Sequence, residues 1–172
     1  MKQIETERLI MRELELSDAL GLFELDSNPE VLKYIGVDAV KTIEESESVV
    51  RMLQQQYAEN GIGRWAVIEK STGEFMGWSG LKLYREPINN QTNIYELGYR
   101  FIPRYWGRGF ATESARAWVD FAFEELKIDK LFAVTDLEHD SSKNVLHKVG
   151  FKDIEVFKYN GEDVNWLEVT KE

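Results

Sequence analysis

The segment RYWGRGFAT, residues 104–112, combines residue types that can hold the phosphates of a ligand. Gly107 and Gly109 lack a Cβ atom, so the backbone can turn there and a ligand can approach it closely. A helix that begins just after them offers free N–H groups with positive partial charge. Four arginines add charge in or near this turn: Arg100, Arg104, Arg108 and Arg116. The pattern predicts a cradle for a di- or triphosphorylated ligand, although two glycines can also serve only to join a strand to a helix.

A strand before this turn and a helix after it must hold it in place. The apolar residues from Ile94 to Ile102 predict a strand that ends at Pro103, because proline cannot donate to a sheet. After the turn, apolar residues at helical spacing predict a helix against the core: Ala111, Ala115, Trp118, Val119, Ala122 and Leu126. The turn has neither the Lys-Ser or Lys-Thr of a P-loop nor the third glycine of GxGxxG, so neither nucleotide motif is indicated.

The rest of the chain supplies further strands and helices. Upstream of the turn the sequence predicts, in order, a strand at Leu9–Arg12, short helices from Ser17 and from Asn28-Pro29, a helix capped by Thr42 and Glu45 that ends at Asn60-Gly61, and a hairpin of WAVIE and FMGWSGLKLY. Downstream it predicts a strand over residues 131–135, a helix capped by Ser141 or Ser142, and a hairpin that turns at Asn160-Gly161. The total is about seven strands and four helices in an α/β fold with partly parallel pairing.

Composition excludes several classes of protein. The 172 residues, of which 43% are hydrophobic, suit one domain over 1–172, and no stretch approaches the ~20 apolar residues of a membrane-spanning helix. The absence of cysteine excludes disulfides, thiolate metal sites and a cysteine nucleophile. A net charge of −10 argues against nucleic-acid binding and favours cationic partners. The opening MKQIETERLIMRE carries both charge signs and no apolar leader segment, which predicts a cytoplasmic location.

Three segments together resemble the Gcn5-related N-acetyltransferase (GNAT) superfamily, and within it the branch of ribosomal-protein N-terminal acetyltransferases (RimJ/RimL-like). RYWGRGFATE is similar to the superfamily's R/Q-x-x-G-x-G/A pyrophosphate loop. ETERLIMRE resembles the opening strand of this branch, and SSKNVLHKVGFK resembles the last crossover helix of the family. The three segments extend from residue 5 to about residue 152 and follow the family's order.

This resemblance implies acetyl-CoA as co-substrate, no metal, and a mixed, mostly antiparallel sheet of six or seven strands that parts in the middle, with about four helices. The pantetheine arm would lie in the opening and bond the backbone of Phe101 and Ile102, whose side chains pack in the core. The pyrophosphate would be held near Arg104 by the N–H groups of Gly107, Arg108, Gly109, Phe110 and Ala111 and by the hydroxyl of Thr112.

The resemblance also suggests catalytic residues. Glu96 would act as the base that takes a proton from the amine, directly or through water; the alternatives are an exposed strand residue and a salt bridge to an arginine. Ser142 matches a small hydroxyl residue near the coenzyme, with a helix cap as its alternative. His139 stands in place of an Asn near the coenzyme, and it can equally be an ordinary loop residue. Leu146 replaces a Tyr that protonates the departing thiolate in many members.

The implied reaction is direct attack of a primary amine on the acetyl-CoA thioester, without a covalent enzyme intermediate. A protein N-terminal amine is one expected acceptor, and a polyamine or an aminoglycoside is the alternative. A module that binds acetyl-CoA without turnover also stays open, because of Leu146. The chain is expected to be a monomer or a homodimer, in which the C-terminal hairpin would supply the pairing edge.

Overall fold

A mixed sheet of eight strands forms the centre of the computed structural model, which describes residues 3–172. In chain order the strands are β1 (Gln3–Glu5), β2 (Leu9–Arg12), β3 (Arg64–Glu69), β4 (Phe75–Tyr84), β5 (Ile94–Phe101), β6 (Lys130–Asp136), β7 (Lys152–Tyr159) and β8 (Glu162–Thr170). The helices are α1 (Ala19–Asp26), α2 (Pro29–Leu32), α3 (Ile43–Asn60), α4 (Phe110–Glu124) and α5 (Asp140–Lys148), and two short 3₁₀ turns cover Leu16–Asp18 and Pro103–Tyr105. The predicted fold class is confirmed, with eight strands instead of six or seven and five helices instead of four.

The strand order across the sheet is β1-β2-β3-β4-β5-β6-β8-β7. Every neighbouring pair is antiparallel except β5 and β6, which are parallel. The predicted parallel crossover is therefore correct for α4, which connects β5 to β6. It does not make β7 a neighbour of β6, because β8 folds back from the hairpin and lies between them.

Local sequence signals explain most of the element boundaries. The Thr42 hydroxyl accepts a hydrogen bond from the Glu45 amide, and α3 ends at Gly61 with φ at +70°. The Asn28 side chain caps α2 in the same way. The predicted cap of α5 is wrong, because the helix begins at Asp140 after His139 and no side chain caps its first turn.

The core lies between the sheet and helices α3 and α4. Trp65 of β3 and Trp118 of α4 are both buried and meet edge to face, with ring centroids 4.9 Å apart. Phe110, at the start of α4, is also buried. Helix α4 is thus fixed at its first residue and at its middle, and with it the turn that precedes it.

Candidate active site

Strands β5 and β6 separate soon after they meet. Their pairing joins residues 95–96 to residues 131–132 and extends no further. Over residues 97–101, β5 is paired with β4 on one side only. The other side of β5 borders an opening in the sheet, as the family resemblance implied.

The free side of β5 presents unpaired backbone groups to this opening. The Ile102 amide donates to the Met76 carbonyl on the β4 side at 2.9 Å. In an antiparallel pair, alternate residues direct their backbone groups toward and away from the partner strand, so Leu97, Tyr99 and Phe101 direct theirs into the opening. The Trp106 indole donates to the Phe101 carbonyl at 2.7 Å, which leaves the amide of that residue free.

The expected role of Ile102 needs correction. Its amide is used by Met76, and its carbonyl accepts the Tyr105 amide at 3.0 Å. Both groups therefore hold the turn that leads out of β5. Tyr99, and not Ile102, has the same backbone orientation as Phe101.

The turn before α4 has the geometry of an anion cradle. Gly107 and Gly109 have φ values of +70° and +81°, which only glycine adopts without strain. The first intrahelical bond runs from the Glu113 amide to the Gly109 carbonyl at 3.0 Å. Within residues 3–172, the amides of residues 108–112 and the Thr112 hydroxyl have no hydrogen-bond partner. Five backbone donors are thus free at the positive end of α4.

The four arginines predicted to surround the cradle do not all reach it. Arg100 lies on the other face of β5 and pairs with Asp26 at 2.7 Å, so its place in the basic patch is wrong. Arg116 donates to the Lys148 carbonyl and lines an open groove of about 730 Å³ that also contacts Gly109 and Thr112. The other two stay beside the turn but are paired with carboxylates, Arg104 with Glu24 and Arg108 with Glu69.

Glu96 lies on the face of the sheet opposite α4, with a mostly buried side chain. Its Oε2 atom accepts from Arg64 Nη2 at 3.0 Å and from the Tyr84 hydroxyl at 3.1 Å. Burial, and after it the charge of Glu96, raises the pKa of Tyr84, which therefore stays a hydrogen-bond donor. Lys82 is the direct cross-strand neighbour of Glu96. The arginine salt bridge is thus present, and the carboxylate is held in one position.

Ser142 lies in the first turn of α5, close to the opening. The Tyr99 hydroxyl lies 3.0 Å from both the carbonyl oxygen and the hydroxyl of Ser142. Burial raises the pKa of Tyr99. Leu146, by contrast, is a core residue with 1% exposure. The sequence did not predict Tyr99 as a site residue, since it lies 43 positions before Ser142 and no local pattern joins the two.

His139 precedes α5 and stacks on Tyr34, with ring centroids 4.5 Å apart and an angle of 19° between the planes. Burial lowers the pKa of His139, and nearby Asp136 and Asp140 oppose that shift only in part. The stack joins the segment after α2 to the loop after β6. The contacts that the structure gives to this ring are therefore with Tyr34, and its expected role toward the coenzyme stays a prediction.

Comparison with known proteins decides the family. A model of the acetyltransferase (GNAT) domain matches residues 8–152. The chain belongs to the GNAT family. The N-acetyltransferase YoaA of Bacillus subtilis is 31% identical to this GNAT chain over 149 residues, 87% of this chain and 82% of YoaA. The spermidine N(1)-acetyltransferase of Escherichia coli K12 is 27% identical, over 82% of this chain and 71% of that protein.

A solved structure shares the architecture of this GNAT chain. RimL, a ribosomal alpha-N-protein acetyltransferase in complex with coenzyme A, superimposes with a TM-score of 0.83 at 20% identity and covers 98% of each chain. This structure confirms the expected fold, and the family model together with YoaA confirms the expected class of enzyme: the chain is an N-acetyltransferase. Its relatives include enzymes for a small polyamine and for a protein.

In residues 3–172, no three or more His, Asp or Glu side chains cluster as a metal site requires. No helix of that part of the chain has the length and apolar character to cross a bilayer.

Proposed function

We propose that this enzyme transfers the acetyl group of acetyl-CoA to a primary amine by direct attack. The pyrophosphate would bind the free amides of residues 108–112, and the pantetheine arm would pair with the free side of β5 at Tyr99 and Phe101. The observation that carries the proposal is the continuity of these two features, because the unpaired strand edge leads directly into the unpaired helix start. The groove beside Thr112 and Arg116 offers space for the adenosine end.

Glu96 is proposed as the base. An amine attacks a thioester only when it is neutral, so a proton must leave it. Arg64 and the Tyr84 hydroxyl both donate to the Glu96 carboxylate and fix its orientation. The carboxylate lies at the point where β5 and β6 part, and it can take the proton directly or through one water molecule.

The negative charges that form on the carbonyl oxygen and on the coenzyme A sulfur are proposed to be stabilised by hydrogen-bond donors of the opening. The carbonyl carbon gains the amine, and its oxygen becomes an oxyanion that a free amide of β5 can stabilise. The thiolate of coenzyme A then leaves and needs a proton. Leu146 cannot supply one, so the Ser142 and Tyr99 hydroxyls are the proposed donors. Burial raises the pKa of Tyr99 and keeps its hydroxyl protonated, so the pair could pass a proton to the thiolate through Ser142, and a water molecule would return the proton that the pair gives up.

The acceptor is proposed to be a cationic amine, with a protein N-terminal amine first and polyamines or aminoglycosides as the alternative. The net charge of −10 favours such molecules near the surface. At the site itself, Arg64 donates to Glu96, and Lys82 is its direct cross-strand neighbour.

The test is thioester consumption with acetyl-CoA and a panel of peptides, polyamines and aminoglycosides. Turnover with at least one amine, lowered about tenfold by Ser142→Ala because water replaces the hydroxyl only in part, supports the proposal. Tight binding of coenzyme A without turnover on any amine would favour a binding module instead.

A further inference from the structure

Arg8 joins the N-terminal strand pair to α4 and to the turn before it. Arg8, just before β2, is 105 residues away from Glu113 in sequence, yet its Nε donates to that carboxylate at 2.7 Å and its amide at 2.9 Å. The Thr6 hydroxyl donates to the same carboxylate at 2.6 Å. Glu113 belongs to the first turn of α4, so these bonds anchor the arginine to the helix that carries the cradle.

The rest of the Arg8 guanidinium lies on the turn itself. Its Nη1 donates to the Arg108 carbonyl at 2.9 Å. The Cζ atom of Arg8 lies 4.1 Å from the centroid of the buried Phe110 ring. A Cβ atom on Gly109 would meet its Nη2 at 3.4 Å, so the guanidinium is packed against the Cα of that glycine.

The bond to the Arg108 carbonyl has a consequence for the cradle because a peptide unit is rigid. In a trans peptide the carbonyl of Arg108 and the N–H of Gly109 point in opposite directions. A carbonyl fixed on Arg8 therefore fixes the direction of the Gly109 N–H, which has no partner in the part of the chain described. This peptide rotates through ψ of Arg108 and φ of Gly109, and the glycine allows that rotation at little cost on its side. Without Arg8, the N–H of Gly109 could point in several directions.

We propose that Arg8 is a positioning residue for the coenzyme: it locks the peptide between Arg108 and Gly109 so that the N–H of Gly109 faces the pyrophosphate. This inference rests on the proposed coenzyme site. It assigns a positioning role to Arg8, and the N-terminal segment before it, residues 4–7, lines the groove beside Thr112. Because Arg8 already restricts this peptide, the turn loses less conformational entropy when a ligand binds, which is the usual gain from preorganisation.

The test compares Arg8→Gln with a matched control in the next strand. Arg12 also makes a two-bond ion pair, with Asp18 at 2.8 Å and 3.0 Å, and has no contact with the turn. Both variants should lower the melting temperature. Only Arg8→Gln should weaken coenzyme A binding, by about tenfold in calorimetry, the scale of one or two lost hydrogen bonds to a charged group. Arg8→Lys, which cannot bond Glu113 and the Arg108 carbonyl as a planar fork, should fall between wild type and Arg8→Gln.

A spectroscopic measurement separates positioning from general loss of stability. In the coenzyme-free protein, the ¹⁵N amide signal of Gly109 should shift or broaden in Arg8→Gln and stay unchanged in Arg12→Gln. The proposal is overturned if Arg8→Gln binds coenzyme A as wild type does, or if both variants lose affinity in proportion to melting temperature. A wild-type protein that does not bind coenzyme A would instead overturn the proposed function, and this inference with it.

Discussion

Glu96 shows how one side chain can be part of an ion pair and still be suited to take a proton. Arg64 and Tyr84 both donate to a single oxygen, Oε2. The other oxygen, Oε1, has no partner within residues 3–172. The two roles weighed from the sequence are therefore compatible, because the ion pair holds the carboxylate through Oε2 and does not occupy Oε1.

Replacing that carboxylate tests its role as base. Glu96→Gln should keep coenzyme affinity and lower turnover by about 10²- to 10⁴-fold, the usual contribution of general acid–base catalysis. The loss should shrink as pH rises, since more of the amine is then already neutral. A pH profile of kcat/KM measures both effects. Tyr84→Phe serves as control, because it removes one hydrogen bond to Glu96 and keeps the carboxylate. If Glu96→Gln has the wild-type pH profile, solvent and not Glu96 removes the proton from the amine.

His139 makes a second prediction at the residue scale, about stability. Burial holds its pKa below the ordinary value of about 6.5. As pH falls below that value the unfolded chain binds a proton and the folded protein does not, so the free energy of unfolding decreases until the folded pKa is passed. Urea unfolding between about pH 7.5 and 5 should show this decrease in wild type. His139→Phe, which keeps a ring against Tyr34, should lack that part of the decrease; equal slopes would contradict it.

At the scale of elements, the turn and α4 act as one unit. The glycines give the turn its path, and Phe110 and Trp118 hold the helix on the sheet. A change of backbone in the turn should therefore affect the ligand more than the fold.

Gly107→Val and Gly61→Val form a matched pair for this prediction. Both glycines have a φ value of +70°, and in neither would a Cβ meet an atom within 4 Å. Each valine should cost about 1–3 kcal/mol of backbone strain. Only Gly107→Val should also weaken coenzyme A binding, because Gly61 lies at the end of α3 and not in the turn before α4. Calorimetry and urea unfolding on both variants measure the two effects. If the two variants bind coenzyme A with equal affinity, the coenzyme does not bind at the turn.

The elements also show what the sequence could and could not predict. Signals that act within four residues were sufficient: Thr42 with Glu45, Asn28 before Pro29, and the Asn160-Gly161 hairpin. The short β1 was missed, since three exposed or half-exposed residues carry no apolar pattern. The contacts of Arg8 with Glu113 were missed for a different reason. They join residues far apart in the chain, and only the assembled sheet brings them together.

The whole molecule adds a long-range electric field to the local chemistry. The net charge of −10 attracts a polyamine toward the surface, and salt screens that attraction over about 10 Å at ~0.1 M. If a polyamine is the acceptor, its kcat/KM should fall severalfold as the salt concentration rises from about 0.02 to 0.2 M, with kcat unchanged. Steady-state kinetics with a monoamine that carries no further charge serves as control. Equal salt dependence of kcat/KM for both amines would show that the electric field does not steer the polyamine to the site.

Trp106 gives the protein an optical signal of its own. Four of the five tryptophans, Trp65, Trp78, Trp118 and Trp166, are 7% exposed or less, whereas Trp106 is 49% exposed. Its indole donates to the Phe101 carbonyl at the end of the opening, where the pantetheine arm is proposed to enter. Water-exposed indole emits at longer wavelength than buried indole, so the red edge of the emission spectrum belongs to this side chain. Coenzyme arrival should therefore be visible as a change at that edge, without any label.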